Sequence, residues 1–256
     1  MSQKHGAIII GAGHNGLTTG AYLAKAGLDV LVVEKNDYIG GASVTREMQE
    51  GWFYSSCSYV CSMMRQAIHR DLNLTRHGLV LVPYLGTVNF GDNGETIVSY
   101  NYEEAEYNQL RRISPHDADA MFRFHTDLAR YAKLIRKTLL RTPPDPTSFR
   151  LRDIKELLWL AREFWGLGEK ELYEYIRFFT MSAADFLEDY FEHDLIKAAM
   201  ASPGIIGTAL GVYSPGSAYI LLHHVMGDVD GNIGCLLYTS DAADDTPCVD
   251  LGGRRI

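Results

Sequence analysis

The sequence predicts an α/β protein, with one parallel strand–helix–strand unit at the N-terminus followed by a region that is mainly helical. Three observations predict it. Ala7–Ile10 and Asp29–Val33 are short apolar, β-branched runs of the kind that form buried strands. Between them lie the glycine-spaced segment Gly11–Gly16 and a stretch with Leu17, Ala21, Leu23, Ala24 and Ala26, which reads as a helix stopped by Gly27. From about residue 103 onward the apolar spacing becomes that of helices and stays so.

Each part of the first unit has a chemical reading. A strand, a G-x-G-x-x-G turn, a helix and a second parallel strand form the Rossmann βαβ unit that binds dinucleotides. Gly11 allows a tight turn out of the strand, Gly13 lets a pyrophosphate approach the backbone, and Gly16 permits close packing of the helix. The N–H groups near His14 and Asn15 then face the diphosphate, helped by the helix dipole, and Ala12 is counted with them as a cofactor-binding residue of the same turn. Glu34, followed by Lys35, stands at the end of the second strand, where a carboxylate can accept hydrogen bonds from a ribose diol and disfavours a 2′-phosphate. The pair Gly40-Gly41, followed by Ala42, resembles the second glycine segment of flavoproteins of the glutathione-reductase and amine-oxidase kind, in which backbone returns to the cofactor. This resemblance favours FAD over NAD. Many such proteins carry arginine where Ala42 stands, so one cationic contact is absent.

Composition sets the limits. The chain has 256 residues, 46% hydrophobic and 22% charged, as in a globular protein. A net charge of −8 argues against a nucleic-acid partner. Four cysteines are too few for a disulfide scaffold and fit a reducing, cytoplasmic compartment. No apolar run reaches the ~18 residues of a membrane span, and Met1–His5 has no secretory apolar segment behind it.

Further segments carry a family resemblance: Trp52–Tyr59, Arg70–Gly78, Arg141–Pro146, Thr180–Phe186 and Ser214–Tyr219. With Ala7–Thr45, they make residues 6 to about 234 resemble the phytoene desaturase-like FAD-dependent oxidoreductases, and among them the branch named pyridine nucleotide-disulfide oxidoreductase domain-containing protein two. The resemblance implies flavin hydride transfer with a lipophilic, unsaturated small molecule, and a helical insertion that shapes the substrate cavity. Carotenoid desaturases proper tend to have Asp-x-Gly-Pro where this chain has Ser55–Ser58, which puts a carotenoid substrate in question. Cys57 and Cys61 are four residues apart, unlike the five-residue spacing of redox-disulfide flavoenzymes, and are read as unreactive thiols. Two other readings stay open: an NAD-dependent Rossmann dehydrogenase, and a non-catalytic dinucleotide- or partner-binding protein. No acid or base identifies itself, so catalytic residues are left unassigned; a cofactor can carry such chemistry itself.

The remaining elements follow in order. Leu79–Pro83, Thr87–Phe90 and Glu95–Tyr100 read as strands, the last two joined as a hairpin through Asp92-Asn93-Gly94. Ser114-Pro115 with Asp117 opens a long helix whose apolar stripe is Met121, Phe124, Leu128, Ala132, Ile135 and Leu139. Its basic residues Arg123, Arg130, Lys133, Arg136 and Lys137 read as a solvated face, with peripheral membrane contact as the minor alternative. Thr142–Pro146 breaks that helix. Further helices are expected over Arg152–Trp165, Lys170–Phe179, Ala183–Phe191 (capped by Ser182 and Asp185), Asp194–Ala201 and Ser214–Met226. No metal is expected. The adjacent His223 and His224 diverge on a helix, and Asp228–Asn232 lacks the glycine position and final acid of a calcium loop.

Three segments are expected: 1–100, the N-terminal part of an FAD-binding domain; 101–234, a helical substrate or cap region; and 235–256. This last stretch, Cys235–Ile256, resembles a translated sequencing-library adapter and holds two of the four cysteines. The doubly wound sheet is expected to stop before the C-terminal part of the flavin domain, leaving an apolar sheet face uncovered and a fragment that binds FAD weakly and is inactive.

Overall fold

The computed structural model describes residues 4–226, apart from 56, 59, 62, 84, 85, 93, 101 and 102, together with 235–239. It divides into two compact units: the described residues of Met1–Pro83 and Asp228–Ile256, and those of Tyr84–Gly227. The hairpin before residue 100 therefore goes with the helical unit, not with the nucleotide-type unit to which the sequence-based border assigned it. It joins that unit because it packs on the first helix after it and on Leu195, whose side chain lies against Gly91.

In the first unit, β1 (Ala7–Ile10) and β2 (Val30–Val33) pair in parallel, with Ala7 opposite Val30 and Ile10 opposite Val33. The crossover is α1 (His14–Lys25). Gly20 on α1 lies so close to the sheet that an added Cβ would meet Val32 at 3.2 Å and Ile9 at 3.3 Å. Only one face is covered in this way. Ile8 and Ile10, which point away from α1, are 62% and 89% exposed.

A short antiparallel pair follows, β3 (Thr45–Gln49) with β4 (Trp52–Ser55), with a register shift between Glu47 and Gln49. Next come β5 (Val60–Cys61), α2 (Gln66–Asp71) and β6 (Leu79–Pro83). Asp71 fastens α2 to α1, accepting from the Tyr22 hydroxyl at 3.1 Å. The strand Cys235–Thr239 lies between β5 and β6, antiparallel to both. This is the one described piece of the adapter-like stretch. Its run Cys-Leu-Leu-Tyr-Thr has the apolar, β-forming composition that pairs with Leu79–Pro83.

The second unit opens with the hairpin β7 (Gly86–Phe90) and β8 (Thr96–Tyr100) and then α3 (Glu103–Ile113). The long helix α4 (Pro115–Thr138) starts as its sequence requires: the Ser114 hydroxyl accepts the Asp117 N–H at 3.2 Å and proline occupies the first turn. Met121, Phe124, Leu128 and Ala132 are buried, as the stripe predicts. Beyond the proline break come α5 (Leu151–Trp165), α6 (Glu169–Thr180), α7 (Ala183–Glu188) and α8 (Asp194–Ala201). Ser182 caps α7, accepting the Asp185 N–H at 3.0 Å. The core is aromatic: Tyr131 stacks on Phe178 at 4.2 Å between ring centroids, and Phe124 meets Phe191 edge-on at 5.1 Å.

Two expectations need correction. The helix predicted over Ser214–Met226 is a 3-10 turn over Ser217–Leu221 and a single α-helical turn, α9 (Leu222–Val225). Gly216 takes a left-handed φ of 81° and turns its N–H to the Thr180 and Met181 carbonyls, so the helix cannot start at Pro215. Nor is the basic set of α4 wholly solvated. Arg130 bonds Glu174 at 2.7 Å, and Arg136 donates to the Val225 and Met226 carbonyls, satisfying the end of α9.

Candidate cofactor-binding site

The nucleotide-type site is built from two loops that meet. The first leaves β1 at Gly11, whose N–H donates to the Val33 carbonyl at 2.7 Å, and enters α1 through Gly13. Gly13 takes the N-cap position with no side-chain cap, which leaves the first-turn N–H groups of α1 for another acceptor. His14 and Asn15 begin that turn and are exposed. A Cβ on Gly16 would stand 2.0 Å from the Gly11 carbonyl oxygen, so only glycine lets the turn fold this tightly. The sequence reading assigned Gly16 to helix–sheet packing; that contact falls mainly to Gly20, which it did not single out.

The second loop comes back. The Gly40 N–H donates to the Ala12 carbonyl at 2.8 Å, and Gly13 and Gly40 form an isolated parallel bridge. Gly41, at φ 59°, lies so near that an added Cβ would stand 2.9 Å from the Gly13 Cα. Ala42 follows within a 3-10 turn over Gly41–Ser43, and its carbonyl accepts the Ser58 N–H at 3.0 Å. Six of the residues singled out in the sequence, Gly11, Ala12, Gly13, Gly16, Gly40 and Gly41, thus share one small cradle of bare backbone.

Glu34 holds the cradle from the side. Its Oε2 accepts the Ala12 N–H at 2.7 Å; its Oε1 accepts the Lys35 and Asn36 N–H groups at 2.9 and 3.0 Å and the Asn36 amide at 2.9 Å. These donors, those of Asn36 and Ala12 first, hold the carboxyl below its usual range, so it carries a full negative charge at neutral pH. Lys35 takes part through its backbone, and its side chain is exposed. Asn36 was not singled out; its only signal was an amide two residues past the acid.

Among the described residues no disulfide joins Cys57 and Cys61, and Cys61 lies in a strand. The structure also gathers His116, Asp117 and Glu192 in the helical unit, with His116 Nδ1 3.0 Å from Asp117 and 3.9 Å from Glu192. Buried Asp117 already accepts the Glu192 and His193 N–H groups at 2.9 Å each, so it caps the start of α8. Asp228–Asn232, weighed as a calcium loop, lies outside the described residues.

A family profile described as "NAD(P)-binding Rossmann-like domain" matches residues 9–71, the span holding both loops. Pyridine nucleotide-disulfide oxidoreductase domain-containing protein 2 of Mus musculus is 33% identical over 253 residues, covering 93% of this chain and 43% of that protein. Phytoene desaturase of Neurospora crassa is 63% identical over 39 residues, 15% of this chain and 7% of that protein. The chain is a homologue of both. It spans less than half the length of these relatives. Cyclohexylamine oxidase from Brevibacterium oxydans, at 18% identity, shares the fold with a TM-score of 0.52 over 95% of this chain and 48% of that structure. Among the described residues no helix of this oxidoreductase homologue is long and apolar enough to cross a membrane.

Proposed function

We propose that this protein is an FAD-dependent oxidoreductase acting on a lipophilic, unsaturated small molecule. The observation that carries the reading is the return of Gly40-Gly41 onto Ala12-Gly13. A nucleotide-binding turn needs only the first loop; here a second loop of bare backbone is bridged to it, extending the surface that accepts a phosphate-linked cofactor. The homologues named as an oxidoreductase and a desaturase support the reaction class.

The residues present fit FAD. The first turn of α1 after Gly13 offers open N–H groups to the diphosphate, and a Cβ at Gly16 or Gly41 would collide with the cradle itself. Glu34 would take a ribose hydroxyl on Oε2, which accepts the Ala12 N–H alone, whereas Oε1 already takes three donors from Lys35 and Asn36. Gly40, Gly41 and Ala42 would lie along the middle of the cofactor. When bound, FAD supplies hydride transfer, while the protein binds, orients and shields it.

Titration with FAD, followed by quenching of flavin fluorescence, tests this. Weak, saturable binding is expected, lowered a further tenfold or so in Glu34→Ala, in keeping with loss of a hydrogen bond to a charged group. The name of the matching family profile favours one rival, an NAD(P)-dependent enzyme. Saturable NADH binding with no FAD binding would establish that rival instead.

A further inference from the structure

We propose that His116, Asp117 and Glu192 form a binding site for a divalent ion of the zinc class, which ties the start of α4 to the start of α8. One donor atom from each, the His116 Nδ1 and an oxygen of each carboxylate, lies within 4.8 Å of the other two. His116 Nδ1 is 3.0 Å from Asp117 and 3.9 Å from Glu192. Donors held at about 2.1 Å by one tetrahedral ion stand roughly 3.4 Å apart, between these two values. Asp117 and Glu192 are 75 residues apart, so no metal motif announces the site in the sequence.

The trio differs from a patch of surface acids in how its central carboxylate is held. Asp117 is fully buried and accepts the Glu192 and His193 N–H groups at 2.9 Å each, and the Ser114 hydroxyl bonds it as well. Donors of this kind orient a ligating carboxylate and are a regular part of metal sites. The His116 and Glu192 side chains are 55% and 73% exposed, free to close the remaining distance around an ion. The ion takes the place of the proton between His116 Nδ1 and Asp117 Oδ1, and that proton passes to water. Arg123, a cation near enough to bear on His116, is turned to the Asp189 carbonyl at 3.1 Å. A second observation comes from His193, whose N–H holds the same carboxylate. Its own Nδ1 is buried with no hydrogen-bond partner among the described residues, the kind of orphan that an ion or its bound water accounts for. One imidazole with two carboxylates suits zinc and its first-row neighbours better than calcium or magnesium, which take oxygen donors. Three protein donors leave a further position for water. The proposal does not depend on which cofactor binds in the other unit.

The test is calorimetric titration of the purified, metal-free chain with Zn²⁺, with the melting temperature followed in parallel. One ion per chain and a raised melting temperature are expected. His116→Ala and Glu192→Gln should each weaken binding about tenfold or more. Both side chains are exposed, so helix content by circular dichroism without metal should match the wild type. His77→Ala, at an exposed histidine of the other unit, should bind like the wild type. Ca²⁺ should bind about tenfold more weakly or worse, since an imidazole donor does not suit it. Co²⁺ in place of Zn²⁺ separates this site from cysteine, because its spectrum should lack a thiolate charge-transfer band. Absence of binding, binding that survives both substitutions, or Ca²⁺ held as tightly as Zn²⁺ would overturn the proposal. So would a cobalt–thiolate band that Cys57→Ser removes, which would assign the ion to the thiols instead.

Discussion

The Ala12 N–H donates to Glu34 Oε2 at 2.7 Å across 22 residues, joining the glycine turn after β1 to the end of β2. The same carboxylate gathers Lys35 and Asn36, so one charge holds two segments of backbone in place. Glu34→Gln keeps the shape and loses the charge, and should lower the melting temperature at neutral pH. Because the folded carboxyl titrates below its usual range, its stabilisation is full above the ordinary glutamate range. It declines as pH falls below that range and is gone once pH passes the folded value. Melting curves of both proteins from pH 7 downward should therefore converge in acid.

Gly16 is set against the Gly11 carbonyl, and Gly168, the N-cap of α6, has nothing within 4 Å of an added Cβ. Gly16→Ala should cost roughly 2 kcal/mol or more, since the obstacle is backbone rather than a movable side chain. Gly168→Ala should stay within about 0.5 kcal/mol of the wild type. Denaturant unfolding of the two variants makes the comparison, and near-equal values would show that the turn relaxes.

Asp117 is the buried acid that links the start of α4 to the start of α8. Burial alone would push its carboxyl up, but bonds from His116, Glu192 and His193 outweigh this and hold it below the usual range. Asp117→Ala leaves the two N–H groups unanswered and should cost roughly 2–5 kcal/mol. Asp117→Asn, which keeps one acceptor, should cost less. Urea midpoints read both.

Ile8 and Ile10 turn apolar side chains outward from β1. Ile8→Thr and Ile10→Thr keep β-branching and strand propensity, so unfolding midpoints should barely move. Self-association measured by light scattering should fall, because the two side chains form part of an open apolar face.

Where local chemistry was sufficient, the fold was legible in the residues. The run Ala7–Ile10, the run Asp29–Val33 less its first residue, the break at Thr142–Pro146 and the caps Ser114 and Ser182 are found in place. The β3–β4 pair was not legible. Thr-Arg-Glu-Met-Gln shows no apolar alternation, and its partner is reached through a turn at Glu50-Gly51 with an irregular register. The end of the chain from Ser214 was misread because Ser-Pro resembles a helix start, while the tertiary bonds of Gly216 set the start later. In the candidate site the glycines were legible by spacing. Their mutual contact was not, because spacing cannot show that Gly41 comes to rest on Gly13.

The bridge between Gly13 and Gly40 also has a bearing on timing. Apart from the Ser58 N–H on the Ala42 carbonyl, the described contacts that shape the cradle fall among the first 43 residues, from the Gly11 turn to the one that ends at Ser43. A ribosome adds about 5–20 residues per second, so these contacts become available within seconds of initiation. The cradle can therefore assemble on the nascent chain while α3 and everything after it are still unmade, without waiting for the aromatic core.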